Sequence, residues 1–166
     1  MQKAEFWIEK LKLLPHPEGG FYRETWRSGG SYPFDEKTLF KGPRSWATSI
    51  YYLLRGNDYS KLHRIHSDEL WFYHAGAPLT VYIFPETGVP SSFTLGLEPD
   101  KGQVLQETVT AESWFGACCA EADGESYSVV SCVVAPGFDF RDFTFADKNE
   151  LLTTFPLYQA LIEHLT

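Results

Sequence analysis

The 166-residue chain carries 14 Lys and Arg against 22 Asp and Glu, a net charge of −8, with no run of basic residues; a nucleic acid, bound mainly by phosphate neutralisation, is not an expected partner. With 43% apolar and 22% charged residues the chain is of the folded globular class rather than the disordered one, and its length suits one domain over 1–166. The longest unbroken apolar stretch, Ile50 to Leu54, is far below the roughly 18 residues of a membrane span, and the amino terminus shows no apolar signal core, so neither membrane insertion nor targeting is expected.

In chain order, Ala4, Trp7, Ile8, Leu11 and Leu14 fall at helical spacing, and Pro15 and Pro17 forbid continuation. Gly19-Gly20 suits a positive φ or a close backbone approach, and Phe21 to Arg27 is aromatic-rich and extended. From Ser28 to Pro43 the polar, Gly- and Ser-punctuated stretch predicts a long surface loop. Short runs of Tyr, Phe, Val, Ile and Thr then predict strands near 46–55, 61–65, 69–74, 79–85, 92–97, 103–109, 113–119, 126–134 and 138–145. Many short strands with no helical pattern between them indicate an antiparallel sandwich or barrel. Asp147 with Glu150 predicts a capped helix, broken at Pro156 and followed by a second short helix carrying Leu157, Leu161 and Leu165.

Three cysteines, two of them adjacent (Cys118, Cys119), do not make a disulfide framework and fit a reducing, cytoplasmic compartment. Adjacent strand residues point to opposite faces, so Cys118 and Cys119 are expected to pack rather than to pair or jointly ligate. Aromatic residues reach 16%, more than a core of this size needs, and some are expected to line a cavity.

The densest polar cluster is His63-Arg64-Ile65-His66-Ser67-Asp68-Glu69, costly to bury unless paired. His63 and His66 are three apart and face opposite sides of a strand, so they are not a ready ligand pair. With Ser67-Asp68 as the turn, His63 and Glu69 can meet across a ladder, while Glu69, Trp71 and Tyr73 share a face. A surface hairpin with solvated charges is the plain alternative. His63 is the natural acid or base near neutral pH, and Glu69 is expected to orient it. Arg23 or Arg64 can hold an anionic group bidentately, and Tyr22, Tyr51, Tyr73 and Tyr82 offer phenols to sugar or enol oxygens, although strand propensity alone also explains such tyrosines.

Several segments together resemble a known family. Gly56 to Gly76 is similar to the first cupin motif, with the matching gap between Glu69 and Gly76. Glu18-Gly19-Gly20-Phe21-Tyr22-Arg23, His63-Arg64-Ile65, Ser67-Asp68-Glu69-Leu70-Trp71, Trp114-Phe115-Gly116-Ala117 and Pro136-Gly137-Phe138-Asp139-Phe140 resemble the small cupins of the fifth cupin family, whose function is unknown. The resemblance implies an all-β double-stranded β-helix, or jelly roll, with short terminal helices, a cavity inside the barrel and a homodimer. Trp71, Phe115 and Phe140 are then expected at that cavity.

A metal-binding cupin supplies His-x-His and Glu in the first motif and a further His in the second, donors suited to transition metals. Here the spacing is His-x-x-His, and Phe115 stands at the last position. No metal or other cofactor is therefore expected, although weak divalent binding at His63 and Glu69, helped by His66, His74 or Cys132, stays open. The reading favoured is an isomerase- or epimerase-like enzyme acting on a small polar or carbohydrate-type ligand. A non-catalytic small-molecule binding protein is the alternative, and a metal-dependent oxygenase is less favoured.

Overall fold

The computed structural model describes residues 3–35, 37–121 and 123–166. Its elements in chain order are α1 (Ala4–Leu11), β1 (Leu14–Pro15), β2 (Phe21–Arg27), β3 (Ser31–Tyr32), β4 (Arg44–Ser45), β5 (Thr48–Arg55), β6 (Tyr59–Arg64), β7 (Asp68–Gly76), β8 (Leu79–Phe84), β9 (Ser91–Leu95), β10 (Gln103–Val104), β11 (Gln106–Val109), β12 (Trp114–Cys119), β13 (Tyr127–Ala135), β14 (Thr144–Phe145), α2 (Lys148–Thr154) and α3 (Gln159–Leu165).

Two six-stranded sheets face each other, in the orders β1-β2-β5-β13-β7-β11 and β10-β9-β8-β12-β6-β14. All their ladders are antiparallel except the short β9–β10 pair. This is the all-β jelly roll with short terminal helices that the strand spacing and the resemblance imply. The alternation of each strand puts Tyr52, Trp71, Val130 and Cys132 of the first sheet against Val81, Phe115 and Ala117 of the second in one central core. Smaller apolar clusters lie under α1, around Leu53 and Val129, and under α2 and α3, around Leu62 and Phe84.

Among the boundaries that differ from the sequence expectation, including a short strand β3 inside the stretch read as loop and a last helix that starts past Leu157, three have a clear local cause. The first helix stops at Leu11 rather than near Leu14, because Lys12 adopts φ 54° and the amides of Lys12 and Leu13 return to Glu9 and Ile8 carbonyls, a left-handed cap that ends a helix before any proline is reached. The run 103–109 is two strands: β10 joins one sheet, and past Leu105 the chain crosses so that β11 pairs with β7 in the other. In 138–145 only Thr144–Phe145 is strand, since the Asp139 side chain accepts the Arg141 amide and winds Phe140–Asp142 into a 3-10 turn. The capped helix at Asp147 forms as its spacing implies, with Asp147 Oδ1 accepting the Glu150 N–H at 2.9 Å. Cys118 and Cys119 diverge, Cys119 entering the central core and Cys118 lying against Tyr82. No helix among the described residues is long and apolar enough to cross a membrane.

Candidate functional site

A cavity of about 410 Å³ opens between the two sheets, bordered by β2, β5, β6, β7 and β13, by the turn after β1 and by the 138–140 segment. Its wall is largely aliphatic and aromatic, including Ile50, Ile65, Val134 and Phe138, and its polar groups gather around His63.

The turn between β1 and β2 decides what His63 meets. Gly19 and Gly20 take φ +116° and +66°, and a Cβ on Gly19 would lie 2.1 Å from the Tyr59 carbonyl oxygen. Only glycine permits both the left-handed backbone and this approach to β6. The contact is then locked: the Lys61 amide donates to the Glu18 carbonyl (2.8 Å) and the Tyr52 hydroxyl to the Gly19 carbonyl (2.8 Å). The Glu18 carboxylate is thereby buried, with Oε1 accepting the Ser60 hydroxyl at 3.0 Å and Oε2 lying 3.2 Å from His63 Nε2. Gly19→Ala is expected to destabilise the protein by more than about 1 kcal/mol and to separate Glu18 from His63, read as a lower urea midpoint and altered His63 ring resonances.

His63 is held on every side. Its Nδ1–H donates to the Lys61 carbonyl at 2.6 Å, its ring is clasped between Phe115 (4.2 Å between centroids) and Phe143 (5.0 Å, stacked), and it is 3% exposed. With Nδ1 protonated, a bare Nε2 lone pair would face a carboxylate lone pair at 3.2 Å. That contact is repulsive unless one proton lies between them, so His63 and Glu18 act as a proton-holding pair. His16 also lies beside Glu18, but the Glu18 amide donates to its Nδ1 at 3.2 Å. The 3.6 Å separation of Nδ1 from Oε2 is therefore not an ion pair, and burial lowers the pKa of His16 further.

Glu69 enters from the opposite wall, on β7. Burial, and then the charge of Glu18, push its carboxyl from 4.5 up to about 8, and the Cys132 thiol beside it is raised as well, by burial and by Glu69. At the mouth the charges are spoken for. Arg27 makes a bidentate pair with Glu24 (3.0 and 2.7 Å) and donates to the Phe138 carbonyl (3.1 Å); Asp139 is held well below the usual carboxylate range by its hydrogen bonds from Arg141.

Of the residues singled out in the sequence, His63, Glu69, Tyr22, Arg23 and Phe140 border the cavity. Arg23 does so at the rim: it lies between the inward-facing Tyr22 and Glu24 and opposite Tyr51 in the ladder, so strand alternation turns its side chain to the outer face. Six others lie elsewhere. Tyr51 packs in the cluster under α1; the Arg64 guanidinium stacks 4.4 Å over Trp114; the Tyr73 hydroxyl donates to the Gly76 carbonyl; and Tyr82 packs toward the C-terminal helices. Trp71 and Phe115 are 1% exposed and fill the central core edge to face, Phe115 supporting His63 from behind rather than lining the cavity.

The expected meeting of His63 and Glu69 across a ladder does not occur. β6 pairs with β12 and β14, whereas β7 pairs with β13 and β11, so the two side chains stand on facing sheets. Glu18 takes the place beside His63. Glu18 and His16 went unassigned in the sequence, where the signal was a His and a Glu two apart directly before Gly19-Gly20.

Nor does the donor set fit the metal centre of metal-binding cupins. His63 has one nitrogen on a carbonyl and the other on Glu18, Phe115 offers no lone pair, His66 is tied to Glu112 at 2.5 Å and His74 to Ser131 at 2.9 Å. Among the described residues, no group of three or more His, Cys, Asp or Glu side chains is arranged to hold a metal ion.

A family model described as "Cupin superfamily (DUF985)" matches residues 5–146. An uncharacterized protein of Saccharomyces cerevisiae, YML079W, is 30% identical over 155 residues, covering 87% of this chain and 76% of its own. Two solved structures align over nearly all of both chains at 36% identity: a hypothetical protein from Leishmania major (99% and 99%, TM-score 0.88) and protein SO0799 from Shewanella oneidensis (100% and 98%, TM-score 0.87). Oxalate decarboxylase from Bacillus subtilis shares the fold at 16% identity, covering 92% of this chain and 36% of its own, with a TM-score of 0.55.

Proposed function

This chain belongs to the cupin superfamily, in the family described as DUF985, and we propose that its cavity is the active site of an isomerase or epimerase that moves a proton on a small polar ligand. One observation carries the reading: two proton-carrying groups border a common cavity, Glu69 on one sheet and, on the facing sheet, His63, which is paired with Glu18 of the β1–β2 turn. A carboxyl titrating at about 8 is mostly protonated at neutral pH, yet its ionised fraction is a far stronger base than an ordinary carboxylate. The His63–Glu18 pair holds the proton that the opposite face receives. Two such groups, set apart by their environments, are what inversion at a carbon requires.

The cavity sets the size of the ligand. Its volume of about 410 Å³ lies in the range of small-molecule sites, roughly 300–1,000 Å³, and so admits a monosaccharide-sized ligand with room to spare.

A pooled exchange assay tests this with no single ligand chosen in advance. The protein is incubated in D₂O with a mixture of monosaccharides, sugar acids and 2-oxo acids, and deuterium gain is read by mass spectrometry. Wild type is expected to label at least one member, at a rate that rises with pH toward about 8 as Glu69 ionises. His63→Asn and Glu69→Gln are each expected to lower that rate by about 10²–10⁴-fold. The double variant should fall little further, since the groups act as one unit. If no pool member gains deuterium the proposal fails, and retention of one without labelling identifies a binding protein instead.

A further inference from the structure

We propose that His16 is a catalytic hydrogen-bond donor, whose Nε2–H meets the carbonyl oxygen of the ligand, and hence that the proton moved from the ligand lies on a carbon next to a carbonyl group. This rests on the proton-transfer reading above and adds to it a residue and a substrate class.

The backbone sets the tautomer of His16. Its Nδ1 accepts the Glu18 backbone N–H at 3.2 Å; a nitrogen that accepts cannot carry a proton, so in the neutral ring the proton is on Nε2. Burial favours that neutral ring over the imidazolium. The ring packs edge to face against Tyr22 (4.3 Å) and Tyr52 (5.8 Å) and is stacked toward Phe140 (6.4 Å).

Nε2–H has no hydrogen-bond partner among the described residues. It is not a sealed orphan either, because the buried side-chain nitrogens without partners belong to Arg23, Arg55 and Trp71. His16 borders the cavity, so this N–H opens onto it. Glu18 joins the two parts of the site, its backbone N–H fixing His16 (3.2 Å) and its carboxylate meeting His63 (3.2 Å), and all three residues border the cavity.

A neutral imidazole is a suitable partner for oxygen charge that develops during reaction, because it donates without surrendering its proton. In the step, the Glu69 carboxylate takes the proton from the carbon beside the carbonyl. The C–H electron pair becomes the carbon–carbon double bond, and the carbonyl π pair moves to oxygen, where His16 Nε2–H meets it. The His63–Glu18 pair then returns a proton to the opposite face of the same carbon, the carbonyl re-forms, and exchange of one proton with water resets both acids. Nothing is oxidised or reduced.

Two readouts test this. In ¹⁵N-labelled protein at pH 7, long-range proton–nitrogen spectra are expected to show His16 with Nδ1 unprotonated and Nε2 protonated, the signals being assigned by their loss in His16→Gln. A protonated Nδ1 overturns the proposal whether or not any ligand is turned over. In the D₂O assay, carbonyl-bearing pool members should be those labelled. His16→Phe, which keeps an aromatic ring and no donor, should lower the rate by about 10²–10³-fold. His16→Gln, whose amide both accepts and donates, should stay within about tenfold of wild type. Labelling by wild type that His16→Phe matches, or labelling confined to aldonic acids, whose one C=O is an ionised carboxylate and not an aldehyde or ketone, overturns this proposal alone. Absence of labelling by wild type removes the proton-transfer reading and this one with it. Near-UV circular dichroism of His16→Phe guards against loss of fold, and His16→Gln carries the comparison if that variant does not fold.

Discussion

Replacing Glu69 by Gln is expected to stabilise the protein in alkaline solution and to leave it nearly unchanged in acid. The carboxyl is ordinary in the unfolded chain, near 4.5, and is pushed up to about 8 in the folded one by burial and by the charge of Glu18. The folded state therefore binds more protons than the unfolded state between these two values, and stability falls as pH rises. The contribution of Glu69 is fully present below 4.5 and has been lost once pH passes about 8. At about 1.4 kcal/mol per pH unit, the full swing is on the order of 5 kcal/mol. Gln has the same shape and never ionises, so the difference between the two proteins in urea unfolding should be flat below about pH 4, grow through neutrality and level off above about pH 8. A constant difference at all pH values would show that Glu69 ionises in the folded protein as it does in water. The raised pKa that costs stability is also what makes the carboxylate a strong base, so the stabilised variant is expected to be the inactive one.

Breaking the ion pair between Arg44 and Asp142 should cost about 3–5 kcal/mol. Both side chains are sealed, at 2% and 4% exposure, and they meet in two parallel hydrogen bonds of 2.6 and 2.5 Å. Arg44 also donates to the Gly42 and Pro43 carbonyls at 3.1 and 2.9 Å, so it ties the end of the long loop to the 3-10 turn Phe140–Asp142. Asp142→Ala strands a buried guanidinium, and Arg44→Ala strands a buried carboxylate. The pair Arg44→Met with Asp142→Leu removes both charges and should recover a large part of the loss, with a coupling read from a double-mutant cycle in urea. Additive losses would mean that the two groups do not act as a pair. The turn carries Phe140 to the cavity rim, so the same single variants should weaken ligand retention.

Much of the architecture is legible from residues near one another in the chain. Alternation along β7 places Glu69 and Trp71 on the inward face, and the Asp147–Glu150 spacing places a helix start where one forms. Both are local patterns with a fixed period or offset, so reading them needs nothing from across the fold. His63 and Glu69 are likewise recognisable as cavity residues, since two ionisable groups in apolar strands are costly unless they serve a purpose.

The pairing of those residues was decided by tertiary structure. Whether His63 meets Glu69 depends on whether β6 and β7 join the same sheet, and the short Ile65–Ser67 link sends them to opposite ones. The partner that His63 does meet arrives from a turn far upstream, brought within reach because Gly19 lets backbone lie against Tyr59. Strand runs can look alike whichever sheet they enter, and six of the aromatic and basic residues expected at the cavity were diverted to core or outer face for that reason. By itself the sequence determined most of the strand pattern, the Asp147 helix cap, and the inward placement of His63 and Glu69, because these follow from side-chain period and local hydrogen bonding. Only the tertiary structure decided that Glu18 holds His63 and that His16 presents its N–H to the cavity, because both depend on close contacts between segments that no local pattern encodes.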